Sequence, residues 1–112
     1  MSWRSILRSN FTSIQSLADY LELDSAQRAL LISRPHFRLN LPLRLAEKIP
    51  KGAVDHPLAR QFLPMQEEMA VAEHFEADPV QDRLFQKTPR LLHKYAGRML
   101  LVTTGACAMH CR

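Results

Sequence analysis

The chain has 112 residues, of which 46% are hydrophobic, 23% charged and 7% aromatic, and its formal net charge is +4. That is long and apolar enough for one small domain with a core, and it excludes a disordered chain. No stretch approaches the roughly 18 consecutive apolar residues of a membrane span. The opening M-S-W-R-S-I-L-R lacks the uninterrupted apolar run of a secretory signal. The two cysteines therefore read as reduced thiols or ligands rather than a bridge, and the chain is expected in the cytoplasm.

Residues 1 to 11 form an amphipathic start, with Trp3, Ile6, Leu7 and Phe11 near helical spacing. Thr12 and Gln15 fit a capping box, and Ile14, Leu17, Ala18 and Leu21 then keep one apolar helical face. Asp24 and Gln27 repeat the signal and open a second short helix running to about Ile32, which Ser33-Arg34-Pro35 ends. Phe37, Leu39 and Leu41 alternate with polar residues, as an extended segment does. Pro42 can occupy the first turn of a further helix carrying Leu43, Ala46 and Ile49, closed by Pro50 and Gly52. Asp55-His56-Pro57-Leu58 turns into another helical stretch that stops at Pro64. Met65 to His74 is helix or irregular, Ala77-Asp78-Pro79 is a turn, and Val80 to Phe85 is a short segment. Met99 to Val102 is apolar on both faces and ends at Thr103-Thr104-Gly105, which suits a strand buried on both sides, as in a parallel sheet.

The positive charge is not one patch. Between Arg60 and Arg83 there is no Lys or Arg, while Glu67, Glu68, Glu73, Glu76, Asp78 and Asp82 all fall there. Past Asp82 the sign reverses, with Arg83, Lys87, Arg90, Lys94, Arg98 and Arg112 and no further acid. The simplest account is solvated faces of alternating sign. A sharper one is a cationic approach to an anionic cofactor. The few aromatics and the acidic middle rank a nucleic-acid-binding domain last.

Cys107 and Cys111 lie four apart on a loop behind the apolar run, and thiolates are soft ligands for iron-sulfur clusters and zinc. Spacing alone leaves two buried, inert cysteines equally open, as in a helical interaction or regulatory module that uses its cysteines for packing. His93 and His110 could join the thiols, although adjacent ligands such as His110 and Cys111 strain a tetrahedral site. Met109 and His110 read better as loop packing. His36, His56 and His74 have no partner at ligand spacing, and Glu67 with Glu68 reads as an exposed face.

The stretch L-L-H-K-Y-A-G-R-M-L-L-V-T-T-G-A-C-A-M-H-C-R resembles the opening of the radical S-adenosylmethionine enzymes, whose motif is C-x-x-x-C-x-x-C after the first strand of a partial (β/α) barrel. More narrowly it is similar to the lysine 2,3-aminomutase family. D-H-P-L-A-R-Q-F-L-P, Asp55 to Pro64 followed by Glu67 or Glu68, resembles a segment that family carries ahead of its barrel. The likeness is best from about residue 40 to residue 112. It is nearest to the bacterial branch that makes (R)-β-lysine for the modification of translation elongation factor P.

The resemblance implies a mainly α fold for this stretch: a helical N-terminal region, residues 1–88, leading at 89–112 into the first strand and an incomplete cysteine loop of the barrel. It implies that Cys107 and Cys111 are two ligands of a 4Fe-4S cluster, the third falling three residues past Cys111, so that the chain reads as an N-terminal fragment, inactive alone. It also implies S-adenosylmethionine and pyridoxal 5′-phosphate as cofactors, with Lys94, Tyr95 and Arg98 approaching the pyridoxal phosphate group. Lys and Arg supply charge and directed donors to a phosphate, and a tyrosine hydroxyl adds another. The plainer account of those three is a solvated basic turn, and His93 is left to that turn. The implied substrate is L-lysine, its amino group moving from C2 to C3 by a radical route. No nucleic-acid or membrane partner is expected, and a homo-oligomer stays open.

Overall fold

The structure, a computed structural model, describes residues 2–112 and divides into two compact units. The first comprises residues up to Ala70 together with Cys107–Arg112, and the second is Val71–Ala106. Residues 86–88, at the end of the expected helical region, pair with the strand that follows them.

Among its described residues the first unit carries five α-helices, α1 (Trp3–Arg8), α2 (Ile14–Tyr20), α3 (Ser25–Ala29), α4 (Leu43–Ala46) and α5 (Pro57–Arg60), and a 3₁₀ turn at Gln66–Met69. None exceeds 7 residues, a length at which a helix is unstable in water alone, so caps and tertiary packing must hold them. Ser2 caps α1, accepting from the Ser5 amide. Asp24 and Gln27 form the expected reciprocal box at α3, with N–H···O distances of 2.8 and 3.0 Å. At α2 the cap lies one residue later than the Thr12–Gln15 pattern suggests: Ser13 accepts from the Ser16 amide. A serine beside the threonine offers an equal acceptor, and the chain uses it. Pro42 sits at the N-cap of α4 rather than inside its first turn. His56 caps α5, its Nδ1 accepting from the Leu58 amide.

The core of this unit is Leu17, Ala18 and Leu21 from α2, Leu39 and Leu41 from the extended segment, Ala46, Ile49, Ala59, Phe62 and Leu63, with Leu23, Leu31, Val54 and Met65 around them. Short backbone bridges stitch the segments: Phe11 exchanges both hydrogen bonds with Leu41, Ile32 N–H donates to Pro64, and Gln66 N–H donates to Leu30. Gly52, at φ +68°, donates to the Leu21 carbonyl in a conformation that a side chain would strain.

The second unit is a three-stranded antiparallel meander: β1 (Gln86–Thr88), β2 (Leu91–Tyr95) and β3 (Arg98–Leu101), in that spatial order. Pro89-Arg90 joins β1 to β2. Ala96-Gly97 joins β2 to β3, with Gly97 at φ +76° supplying the positive dihedral at the second loop position. Ahead of β1, the Asp78 carboxylate accepts from the Asp82 and Arg83 amides at 3.0 and 2.9 Å and caps the 3₁₀ turn Asp82–Phe85. These two bonds, that from Arg83 the stronger, hold the Asp78 carboxyl below its usual range. The expectation of a doubly buried strand at Met99–Val102 is corrected. β3 is antiparallel to β2, and Met99, Leu100 and Leu101 are each more than half exposed. Apolar character on both faces predicts burial only when another layer covers those faces, and among the described residues no layer does. No helix among the described residues is long and apolar enough to cross a membrane.

Candidate functional site

The cysteine loop belongs to the helical unit, although the chain reaches it only after leaving the sheet. Four sets of contacts hold it. The Asn40 side-chain amide donates to the Cys107 carbonyl at 3.0 Å, and the Asn10 amide donates to the Ala108 carbonyl at 2.9 Å. Met109 packs against the core of the unit. The His110 amide donates to the Asn40 carbonyl at 2.9 Å, and its Nδ1 lies 2.8 Å from the Arg38 carbonyl. A carbonyl only accepts, so that nitrogen carries the proton. Finally, the Arg112 amide donates to Gln61 at 2.8 Å, and its guanidinium donates to Phe37 at 2.9 Å and to both oxygens of Glu68 at 2.5 and 2.8 Å.

The last contact is a bidentate ion pair, the strongest form of charged hydrogen bond. Arg112 is largely buried in it, and Glu68 also accepts from the Met65 amide. The Arg112 bond is the main reason the Glu68 carboxyl sits below its usual value, partly opposed by burial. Glu67, its neighbour, pairs with Arg60 at 2.7 Å, which in turn raises the Arg60 guanidinium. The acids read as an exposed face are thus partners of two arginines, one of them at the end of the loop.

The two thiols stand outside this web. Cys107 and Cys111 are both free and exposed. The packing role left open for them is corrected: Met109, between them, packs instead. His110 is turned onto the helical unit, its ring 5.1 Å from that of Phe37. As a donor set the two thiols suit iron or zinc. The set is partial, since no group of three or more His, Cys, Asp or Glu gathers to hold a metal among the described residues.

In the sheet unit, Lys94, Tyr95 and Arg98 line one cavity of about 390 Å³ together with Asp82, Leu92 and Met99. His93 is not among the residues lining it. Tyr95 and Arg98 face each other across the tip of the β2–β3 hairpin, the guanidinium 4.6 Å from the ring centre. Lys94 is already engaged: its Nζ lies 3.1 Å from Asp82 and bonds the Val80 carbonyl. A phosphate entering here meets two cations and a hydroxyl, but must compete with Asp82 for one of the cations. The three residues assigned from sequence are brought together, and Asp82 is the neighbour that the sequence did not single out.

No family model matches the sequence. The chain is 34% identical over 112 residues to the L-lysine 2,3-aminomutase of Escherichia coli (strain K12), covering 98% of this chain and 32% of that protein. It is 32% identical over 113 residues to the protein of the same name from Haemophilus influenzae, covering 99% of this chain and 33% of the relative. It is 24% identical over 111 residues to that of Clostridium subterminale, covering 98% of this chain and 27% of the relative. The chain spans about a third of the length of the curated relatives it matches. Almost the whole chain is thus similar to part of proteins named L-lysine 2,3-aminomutase.

Proposed function

We propose that the chain is the cluster-loop portion of a radical S-adenosylmethionine lysine 2,3-aminomutase that converts L-lysine to (R)-β-lysine. The observation that carries the reading is the loop itself: its backbone and its Met109, His110 and Arg112 side chains face the helical unit, while both thiols remain free and exposed. A loop built only for packing needs no outward pair of soft ligands. Cys107 and Cys111 would hold two irons of a 4Fe-4S cluster, the third ligand coming from sequence that follows the motif. Lys94, Tyr95 and Arg98 would hold the phosphate of pyridoxal 5′-phosphate by charge and directed donors. When bound, these groups and S-adenosylmethionine supply the radical chemistry that moves the amino group from C2 to C3 of lysine. The chain's own part is to present the two thiols, to grip the phosphate and to pack helices beside a partial (β/α) barrel. The product would serve the modification of elongation factor P in the cytoplasm.

The test is the complete gene product carrying this chain, reconstituted anaerobically with iron and sulfide and given S-adenosylmethionine and pyridoxal phosphate. β-Lysine should form from L-lysine, and Cys107→Ser or Cys111→Ser should abolish it. Undiminished activity in either serine variant would refute the reading. The 112 residues by themselves should show no turnover.

A further inference from the structure

We infer that Asn10 and Asn40 form an amide clasp that positions the thiol of Cys107, and through the His110 amide that of Cys111, so that the two act as one chelating pair. The inference rests on the reading of these cysteines as metal ligands. Asn10 lies between α1 and α2, and Asn40 on the extended segment before α4, far from the loop in sequence. The Asn10 amide nitrogen donates to Asn40 Oδ1 at 2.8 Å and to the Ala108 carbonyl at 2.9 Å, so both of its hydrogens are used. That leaves the Asn40 amide nitrogen to donate to the Cys107 carbonyl at 3.0 Å, while the Asn40 main-chain carbonyl takes the His110 amide at 2.9 Å. The directions are fixed: turning either side-chain amide over would set oxygen against oxygen.

The arrangement has a cost. Asn10 Oδ1 is buried without a hydrogen-bond partner, and native proteins leave few such atoms unmatched. Two side-chain amides are therefore committed to the carbonyls of residues 107 and 108, and the Asn40 main-chain carbonyl to the amide of residue 110, at the expense of one orphaned acceptor. Anchoring at three backbone points within four residues removes the freedom with which an exposed loop would otherwise scatter its side chains. A chelating pair gains most when that freedom is removed before the metal arrives.

Asn40→Asp is the informative variant. It keeps an acceptor for Asn10 and the main-chain bond to His110, removes the donor to Cys107 and sets a carboxylate oxygen against that carbonyl. Asn10→Ala serves as the second variant should the first fold poorly. Two quantities are read on the reduced chain under anaerobic conditions: amide hydrogen exchange of residues 107–112, and the affinity for Co(II) alone, followed by thiolate-to-cobalt absorption. Losing one hydrogen bond of ordinary strength should speed exchange at His110 and weaken cobalt binding by about twofold to tenfold each. The urea midpoint of the chain should stay close to that of the parent, because the α2 core is not touched. Unchanged exchange in both variants would overturn the clasp. Faster exchange with unchanged cobalt affinity would overturn the positioning role and leave a mere loop anchor. If the parent chain binds no cobalt, the ligand reading itself fails, and the positioning role falls with it whatever the exchange shows.

Discussion

The two compact units are built on opposite terms. Among the described residues, every buried hydrophobic one lies between Leu17 and Met65, in the helical unit, where several short helices share one core. The sheet unit has no buried residue at all: Leu84, Met99, Leu100 and Leu101 are each more than half exposed, and hydrogen bonding along a three-stranded meander is what orders it. Two-stranded and small uncovered sheets are marginal in water. The cysteine loop follows the sheet in sequence yet is fastened to the helical unit. The chain thus hangs its cysteine loop on its better-packed part.

Truncation should separate the units most sharply. Leu63 and Leu41 have no exposed surface, and Leu63→Ala or Leu41→Ala should lower the unfolding free energy by about 2–5 kcal/mol. Leu100→Ala, on the exposed strand, should change it by about 0.5 kcal/mol or less, as surface changes do. Urea denaturation of the three variants decides this, and equal losses would show that the sheet is covered in solution.

The two glycines at positive φ offer a finer contrast. A side chain at Gly52 or Gly97 meets no atom within 4 Å, so the penalty in either case is backbone strain of about 1–2 kcal/mol. Gly52→Ala should lower global stability by that amount, because its turn is bonded to Leu21 in the core. Gly97→Ala should leave the urea midpoint near that of the parent and show instead as faster amide exchange in β2 and β3.

Smaller again is the Arg112–Glu68 pair. Glu68→Gln should weaken the anchoring of the loop by about 1 kcal/mol, since the pair is bidentate but Glu68 is partly open to water, which screens it. The Glu68 carboxyl is held below its usual value, so its contribution is full above the unfolded-state value and is lost as pH falls through the lowered folded value. Acidification through the lower carboxylate range should therefore free the Arg112 amide in the parent chain and have little further effect in Glu68→Gln. The smallest effect is expected from the thiols: native Cys107 and Cys111 should alkylate within a few-fold of their rates in the unfolded chain, since both are exposed.

Local signals were the legible part of the sequence. The Asp24–Gln27 box and the α2 face of Leu17, Ala18 and Leu21 could be read directly, because a cap spans three residues and a helix face repeats every three or four. Thr12 misled by one position because Ser13 caps equally well. The meander has no clear local signal, because Leu91-Leu92-His93-Lys94-Tyr95 lacks clean alternation and its basic end reads as a solvated turn. The two cysteines and the three cavity residues were visible as motifs. Their supports were not. Asn10 meets residue 108, Asn40 meets residue 107 and Glu68 meets Arg112, and no local pattern encodes contacts across separations of 98, 67 and 44 positions.

Amide hydrogen exchange on the parent chain tests most directly whether the helical unit, and not the sheet, orders the cysteine loop. The amides of His110 and Arg112, which donate to Asn40 and Gln61, should be clearly better protected than those of Leu92 and Leu100 in the hairpin. Protection at residues 110 and 112 no greater than in the hairpin would contradict the account.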